Sequence, residues 1–257
     1  MNFLILVLVG AIASGINAVA GGGSLISFPT LTGVELFGRQ FGFGLPMIGA
    51  NATNSVGLWP GSLTGALGFG NLFHKTARYM KCLWIPTLLG SILGAWLLIT
   101  TTENLFRKLV PGLILLATLL LAFQPQIKQW AIKREAKISD SAAMVLQFSV
   151  AVYGGYFGAG MGIMMLAVFM IYMQGNIHEI NAVKGWLAVI INASASVVFL
   201  IKGLVVLNAA IAIVIGALIG GYLAARISQG VDPNKLRLAI AAYGLLTAAY
   251  FAYHNWA

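Results

Sequence analysis

The sequence predicts an all-α polytopic membrane protein built as two inverted repeats. Each repeat is a Gly-broken re-entrant or discontinuous helix segment plus three transmembrane helices. Three observations carry this expectation. Of 257 residues, 60% are hydrophobic and only 8% charged, and the mean hydropathy is +0.91, outside the range of a soluble globular domain. Apolar runs of about 20 residues, the length a helix needs to cross the hydrocarbon core, recur from end to end. The order of those runs then occurs twice.

The runs fall at 2–32, 46–69, 80–100, 104–123, 140–172, 178–200, 204–225 and 234–253, and the polar stretch QPQIKQWAIKREAKIS, 124–139, parts the fourth from the fifth. The expected organisation is a first membrane repeat over 1–123, a cytoplasmic basic linker over 124–139 and a second membrane repeat over 140–257. The start, MNFLILVLVG, has no Lys or Arg ahead of its apolar residues. It lacks the charged opening of a secretory signal, so the first run counts as a retained helix.

That first run carries AGGGSLISFPTL, which sets Gly21, Gly22 and Gly23 inside an apolar segment. Backbone that leaves the helix at membrane depth is tolerated only where it is buried in protein or lines a polar cavity. A helix restarting at Ser24 aims free N–H groups and its positive dipole end into such a cavity, and glycine lets a ligand approach the main chain. The fifth run repeats the device in GGYFGAGMG, with Gly158, Gly160 and Gly162. Glycines that merely permit close helix packing are the plain alternative. Two breaks at matched positions beside polar stripes favour an anion site near the midplane.

The stripes lie on the next helix of each half. Asn51, Asn54, Leu58 and Ser62 share one face at spacings of three and four, as do Asn181, Lys184, Ala188, Asn192 and Ser196. Asparagine amides and serine hydroxyls suit an oxyanion that has lost part of its water shell. An ionisable residue within the membrane, here Lys184, is costly and marks a functional site by default. Snorkelling of Lys184 and hydrogen bonding between helices are the competing roles. Gly57, Gly61 and Gly65, Gly90 with Gly94, and Gly216 with Gly220 form small-residue seams for helix packing.

The halves overlay in order: Ala20-Gly21-Gly22-Gly23 on Ala159-Gly160-Met161-Gly162, Asn51-Ala52-Thr53-Asn54 on Asn181-Ala182-Val183-Lys184, and Gly90/Gly94 on Gly216/Gly220. Such duplications with broken helices are a transporter signature. Positive charge sets the topology. With the two Gly-broken runs as re-entrant hairpins, Lys75, Arg78, Lys81, Lys128, Lys133, Arg134, Lys137, Arg226, Lys235 and Arg237 are cytoplasmic, and only Arg39, Arg107, Lys108 and Lys202 lie outside. Three crossings per half invert the second half and put both termini outside. Arg107-Lys108 stays on the wrong side.

Other classes find less support. The net charge of +9 is explained by topology and lipid headgroups, so nucleic acid is not an expected partner. A lone Cys82 forms no intrachain disulfide and no multi-cysteine metal site. Glu35, Glu103, Glu135, Asp140 and Asp232 lie in loops or at helix ends, so no buried carboxylate pair points to cation coupling or a di-metal centre. HExxH, GxSxG, a Walker A loop and CxxC are absent. His178-Glu179 at a helix start reads as capping, with proton relay the alternative.

The ordered pair "AGGGSLISFPTL…ANATNSVGLWPGSLTGALGF" and "GGYFGAGMGIMMLAVF…INAVKGWLAVIINASASVVFLIKG", around a basic loop, resembles the sulfite exporter TauE/SafE family of bacterial inner-membrane permeases. The resemblance spans almost the whole chain, with Met161 standing where the family has a small residue. It implies transport of a small, often sulfur-containing anion such as sulfite, a sulfonate or sulfoacetate. It also implies a site from the Gly21–Gly23 break with Ser24, the Asn51/Thr53/Asn54 cluster, the Gly158/Gly160/Gly162 break and Asn181, Lys184 and Asn192. The expected function is a secondary transporter or facilitator, not an enzyme, with no cofactor and no metal. Its partners are the anion and the lipid bilayer, with homo-oligomerisation open. Rivals are an intramembrane enzyme using His178 and Glu179, a membrane scaffold or assembly factor, and a passive anion channel.

Overall fold

The computed structural model describes residues 3–19, 22–36, 39–67, 73–133, 138–227 and 233–256. Gly21, Arg134, Glu135, Lys137 and Asp232 lie outside these, as do the side chains of Glu35, Arg39, His74 and Arg226 and the surroundings of Gly65. In chain order the elements are α1 (Phe3–Val19), α2 (Ser24–Thr32), β1 (Val34–Leu36), β2 (Arg39–Phe41), α3 (Met47–Leu67), α4 (Phe73–Thr100), α5 (Glu103–Ala122), α6 (Gln124–Lys133), α7 (Asp140–Tyr156), α8 (Met161–Tyr172), α9 (Ile177–Ile201), α10 (Leu207–Ile227) and α11 (Pro233–Trp256). The two Gly-broken runs are each a helix, a break and a shorter helix. The other six apolar runs are single helices. Four helical stretches, Lys75–Thr100, Glu103–Ala122, Ile177–Ile201 and Asn234–Trp256, are long and apolar enough to cross a bilayer.

Capping explains several starts. The Thr102 hydroxyl accepts from Leu105 N–H at α5, Ser139 accepts from Ala142 N–H at α7, and Asn176 Oδ1 accepts from His178 and Glu179 N–H at α9. Two features depart from the expected outline. The chain is not purely helical: β1 and β2 pair antiparallel, Val34 opposite Phe41 and Leu36 opposite Arg39. Gly33, at φ 84°, ends α2, and the alternating VEL and RQF cannot extend an apolar helix. The linker stretch also contains a helix, α6, which lays the buried Ala131 against the apolar cluster containing α8. Its Lys133 sits in the last turn, where a cation complements the helix dipole.

Contacts between elements fix their directions. Gly57, Gly61 and Gly221 bring α3 and α10 together at Ile213, Ala217 and Thr64, so the two run parallel. α1 follows the same course, meeting Ile213 at Gly10 and Gly221 at Ser14. On the other side Thr87, Gly90 and Gly94 of α4 meet Gln147, Phe148 and Val152 of α7, again in parallel. Ser62 pairs with Asn192 and Ala66 with Gly185, so α3 and α9 are antiparallel. Gly244 meets Thr118 while Asn255 meets Arg107, which makes α5 and α11 antiparallel as well. α1 packs on α10 and α7 on α4, each across the chain's midpoint.

The seams at Gly90/Gly94 and Gly216/Gly220 make these pairings possible. A Cβ on Gly94 would overlap Val152 O, and one on Gly216 would overlap Val7 O. Backbones approach this closely only where side chains are missing. The outer surface is apolar: Leu4 is 72% exposed, Val145 66% and Leu246 73%. Inside, Ser27, Asn51, Thr53, Asn54, Thr87, Ser91, Gln147 and Ser196 are buried. This reverses the soluble pattern and suits lipid outside with hydrogen-bonded polar groups within.

Candidate functional site

The first break turns the chain back on itself. Gly22 has φ 91°, a conformation glycine adopts freely, and Gly23 then lies against Ala13 O, where a Cβ would clash. α2 therefore starts alongside α1. The Gly23 N–H donates to Asn17 Oδ1 at 2.7 Å, and Leu25 and Ile26 N–H donate to Gly22 O and Gly23 O. The Ser24 N–H has no acceptor among the described residues.

The second break is built differently at the same task. Gly158 and Gly160 both have φ 80°, and the Tyr153 hydroxyl donates to Ala159 O at 2.6 Å. Met161 N–H donates to Gly158 O, while Ile163 and Met164 N–H donate to Gly160 O. The Gly162 N–H has no acceptor among the described residues, and a Cβ there would meet nothing within 4 Å. Gly162 faces open space.

One turn of α5 brings the breaks together. A Cβ on Gly22 would lie 3.0 Å from a Leu121 methyl, and one on Gly160 3.2 Å from Ala117 Cα. Ala117 and Leu121 are i, i+4 neighbours, one above the other on one helix face. The rings of Phe28 on α2 and Phe157 beside the second break meet edge to face at 5.5 Å. The first break sits toward the C-terminal end of α5, while the second passes from Phe106, 6.4 Å from Phe157, to Ala117.

The polar stripes run through this region and have partners. Asn51 Nδ2 donates to Tyr156 O at 3.0 Å, satisfying a carbonyl left open where α7 ends. Its Oδ1 is buried and has no partner, so what Asn51 leaves over is an acceptor, suited to water or to the O–H of a protonated oxyanion. The Ser27 hydroxyl donates to Asn54 Oδ1 at 2.5 Å, tying α2 to α3. Thr53 Oγ1 accepts from Val206 N–H at 3.0 Å, at the approach to α10. Asn192 Nδ2 donates to Ser62 Oγ at 3.2 Å, the point where the two stripes touch. Ser196 Oγ is buried with no partner.

Residues 6–251 match the family described as sulfite exporter TauE/SafE. The chain belongs to that family. Among similar proteins, a probable membrane transporter protein of Haemophilus influenzae is 27% identical over 252 residues, covering 97% of this chain and 94% of its own. The probable membrane transporter protein YfcA of Escherichia coli K12 is 22% identical, covering 98% and 90%, and YunE of Bacillus subtilis, named likewise, is 24% identical, covering 92% of each. No solved structure matches. Family and names together indicate a multi-pass membrane transporter.

The remaining residues singled out in this TauE/SafE chain are more dispersed. Lys184 and Asn181 are half-buried near the start of α9, about two turns and one turn in. Among the described residues no carboxylate lies within ion-pair distance of Lys184. Neither residue is shown against a break. His178 is exposed, and the Glu179 carboxylate accepts from Asn176 Nδ2 at 3.4 Å. The pair therefore belongs to a capping arrangement. Among the described residues no three His, Cys, Asp or Glu side chains gather as a metal site would require.

Sequence reasoning missed Asn17, Ser27, Tyr153 and Tyr156, which hold the breaks in place. The signal available was position: a polar side chain within a few residues of a glycine break supplies what the interrupted backbone lacks. It also missed a cavity of about 300 Å³ where α2 ends, lined by Thr32, Gly33, Leu45, Met47, Arg107, Tyr250, Phe251, His254 and Asn255. The signal for it was Arg107-Lys108, the basic pair that the expected topology leaves on the face with few positive charges.

Proposed function

We propose that this chain is a secondary transporter or facilitator that moves a small oxyanion, sulfur-containing as in sulfite, a sulfonate or sulfoacetate, across the bacterial inner membrane. One observation carries the reading: two helix breaks abut a single turn of α5, each with an N–H, at Ser24 and at Gly162, that has no acceptor among the described residues. Backbone N–H groups at helix starts favour negative charge. Irregular backbone at membrane depth is tolerated where it is buried in protein or lines a polar cavity, and a passing anion with its water suits the second case.

The halves act as inverted repeats in this reading. Its support is the opposite direction of α3 and α9 and of α5 and α11, and the reciprocal packing of α1 on α10 and α7 on α4. Rocking of one half against the other exposes the breaks to each face in turn. The Ser62–Asn192 hydrogen bond, which joins the two stripes, lies on the seam along which that motion occurs. The linker face is assigned to the cytoplasm, because Lys75, Arg78, Lys81, Lys128, Lys133 and Lys235 lie on it. Lys184, approached from that face, offers the full charge that compensates an anion losing its water.

Flux of radiolabelled sulfite and sulfonates into proteoliposomes tests the proposal, with Asn51→Ala and Lys184→Ala beside the unaltered protein. Saturable flux, lost in both variants, is the expected result. No flux for any anion of the panel, in protein that remains folded, overturns it.

A further inference from the structure

The cavity where α2 ends is assembled from four separate elements, and its chemistry is that of an anion receptor. We infer that it is an outer subsite that gathers the transported oxyanion before it reaches the breaks, with Arg107 as its charged contact; the inference rests on the proposed anion transport. At about 300 Å³ the cavity is at the bottom of the range of small-molecule pockets, about 300 to 1,000 Å³. That volume fits a small ion with part of its hydration shell, about 30 Å³ per water.

The charges around it are unequally engaged. Glu103 spends both carboxylate oxygens on the start of α3, Oε1 accepting from Met47 N–H at 2.5 Å and Oε2 from Ile48 N–H at 3.2 Å. Arg107 approaches that carboxylate from Nε, at 3.7 Å. Neither Nη group makes a hydrogen bond among the described residues, and the two together present the paired donor geometry that matches an oxyanion. Lys108, the adjacent residue, adds a second positive charge, so the region is net positive on the face with fewer basic residues.

The arginine is also held in place. Position 111 is proline, which has no N–H to close the helical bond to Arg107 O. Asn255 Nδ2 supplies the missing donor at 2.8 Å, and Trp256 Nε1 donates to Lys108 O at 3.0 Å. The last turn of α11 therefore fixes the first turns of α5 over the cavity. His254 lines the same wall, its ring 4.1 Å from that of Tyr250. A guanidinium carried on main chain that α11 holds in place, beside a cavity at the C-terminal end of α2, explains why arginine stands at a place where the charge rule disfavours it.

An anionic lipid headgroup carries the same phosphate-like oxygens, and the experiment separates the two sources. Sulfite binding is measured calorimetrically in anoxic buffer, with protein in nanodiscs of phosphatidylcholine alone and of phosphatidylcholine with phosphatidylglycerol. The expected result is binding in both lipids, weakened about tenfold by Arg107→Gln and less by Arg107→Lys, the size expected for a hydrogen bond to a charged group. His254→Gln provides a second variant of the same wall, and it too lowers affinity. In proteoliposomes Arg107→Gln raises the KM from the outer face and spares the maximal rate.

Equal affinity in Arg107→Gln and unaltered protein, no sulfite binding at all, or binding abolished by phosphatidylglycerol overturns the subsite. Binding that depends on Arg107 in a protein that moves no anion would leave the subsite standing and remove transport. Flux lost in Asn51→Ala, with Arg107→Gln unchanged in affinity and KM, would do the reverse.

Discussion

Replacing Gly94 by alanine places a methyl group against backbone that cannot swing aside. The added Cβ would overlap Val152 O and lie 2.9 Å from both Val152 C and Tyr156 N. Ordinary carbon contacts need about 3.5 to 4.0 Å, so α4 and α7 must separate by roughly 1 Å or more along their main contact. Overpacking of this kind costs about 1–3 kcal/mol, and the upper end applies because all three obstructing atoms are main chain. Gly112→Ala is the matching control, since a Cβ there meets nothing within 4 Å and alanine gains about 1 kcal/mol of helix propensity. Thermal unfolding in detergent, followed by loss of the monodisperse chromatographic peak, reads both. At about 2–4 °C per kcal/mol for a chain of this size, Gly94→Ala lowers the midpoint by about 6–12 °C while Gly112→Ala leaves it unchanged or raises it. A Gly94→Ala protein as stable as the original would refute the claim that the small-residue seam sets the helix spacing.

Asn255→Ala leaves Arg107 O without a donor and costs about 1–3 kcal/mol; in a Pro111→Ala background, where the helix regains its own N–H, a double-mutant cycle by thermal melting shows a smaller loss. Gly162→Leu fills the open space beside α8, so flux falls at least tenfold while the melting temperature stays within about 3 °C; unchanged flux would remove Gly162 from the pathway. Thr87→Val alone strands the Gln147 amide that now donates to Thr87 Oγ1 at 3.0 Å and destabilises by about 1–3 kcal/mol, whereas Thr87→Val with Gln147→Met recovers most of the loss, as unfolding midpoints will show.

The glycine positions illustrate how sequence and structure divide the information. Composition alone marks a residue as small; spacing put Gly94 in a packing seam and Gly162 in a helix break, and left Gly112 unassigned. Their roles diverge once neighbours are placed: Gly94 meets a backbone, while Gly112 and Gly162 meet nothing within 4 Å. The asparagines behave the same way. Spacing put Asn51, Asn54, Asn181 and Asn192 on two helix faces, but it could not say that Asn51 and Asn54 already serve Tyr156 O and the Ser27 hydroxyl. Those partners lie 105 and 27 residues away, beyond any periodicity within one helix.

What the sequence determined by itself is therefore what bilayer physics enforces locally: long apolar helices, breaks marked by glycine in 2–32 and 140–172, and a basic polar stretch over 124–139. Each follows from the cost of exposing a peptide group or a charge to hydrocarbon, a cost paid residue by residue and so written residue by residue. Only the tertiary structure decided that both breaks abut Ala117 and Leu121 of α5, that α3 and α9 touch at Ser62 and Asn192, and that Arg107, freed by Pro111 and held by Asn255, overlooks a cavity. These are contacts between segments distant in the chain, set by how helices pack against one another, and helix packing depends on shapes that no single stretch contains.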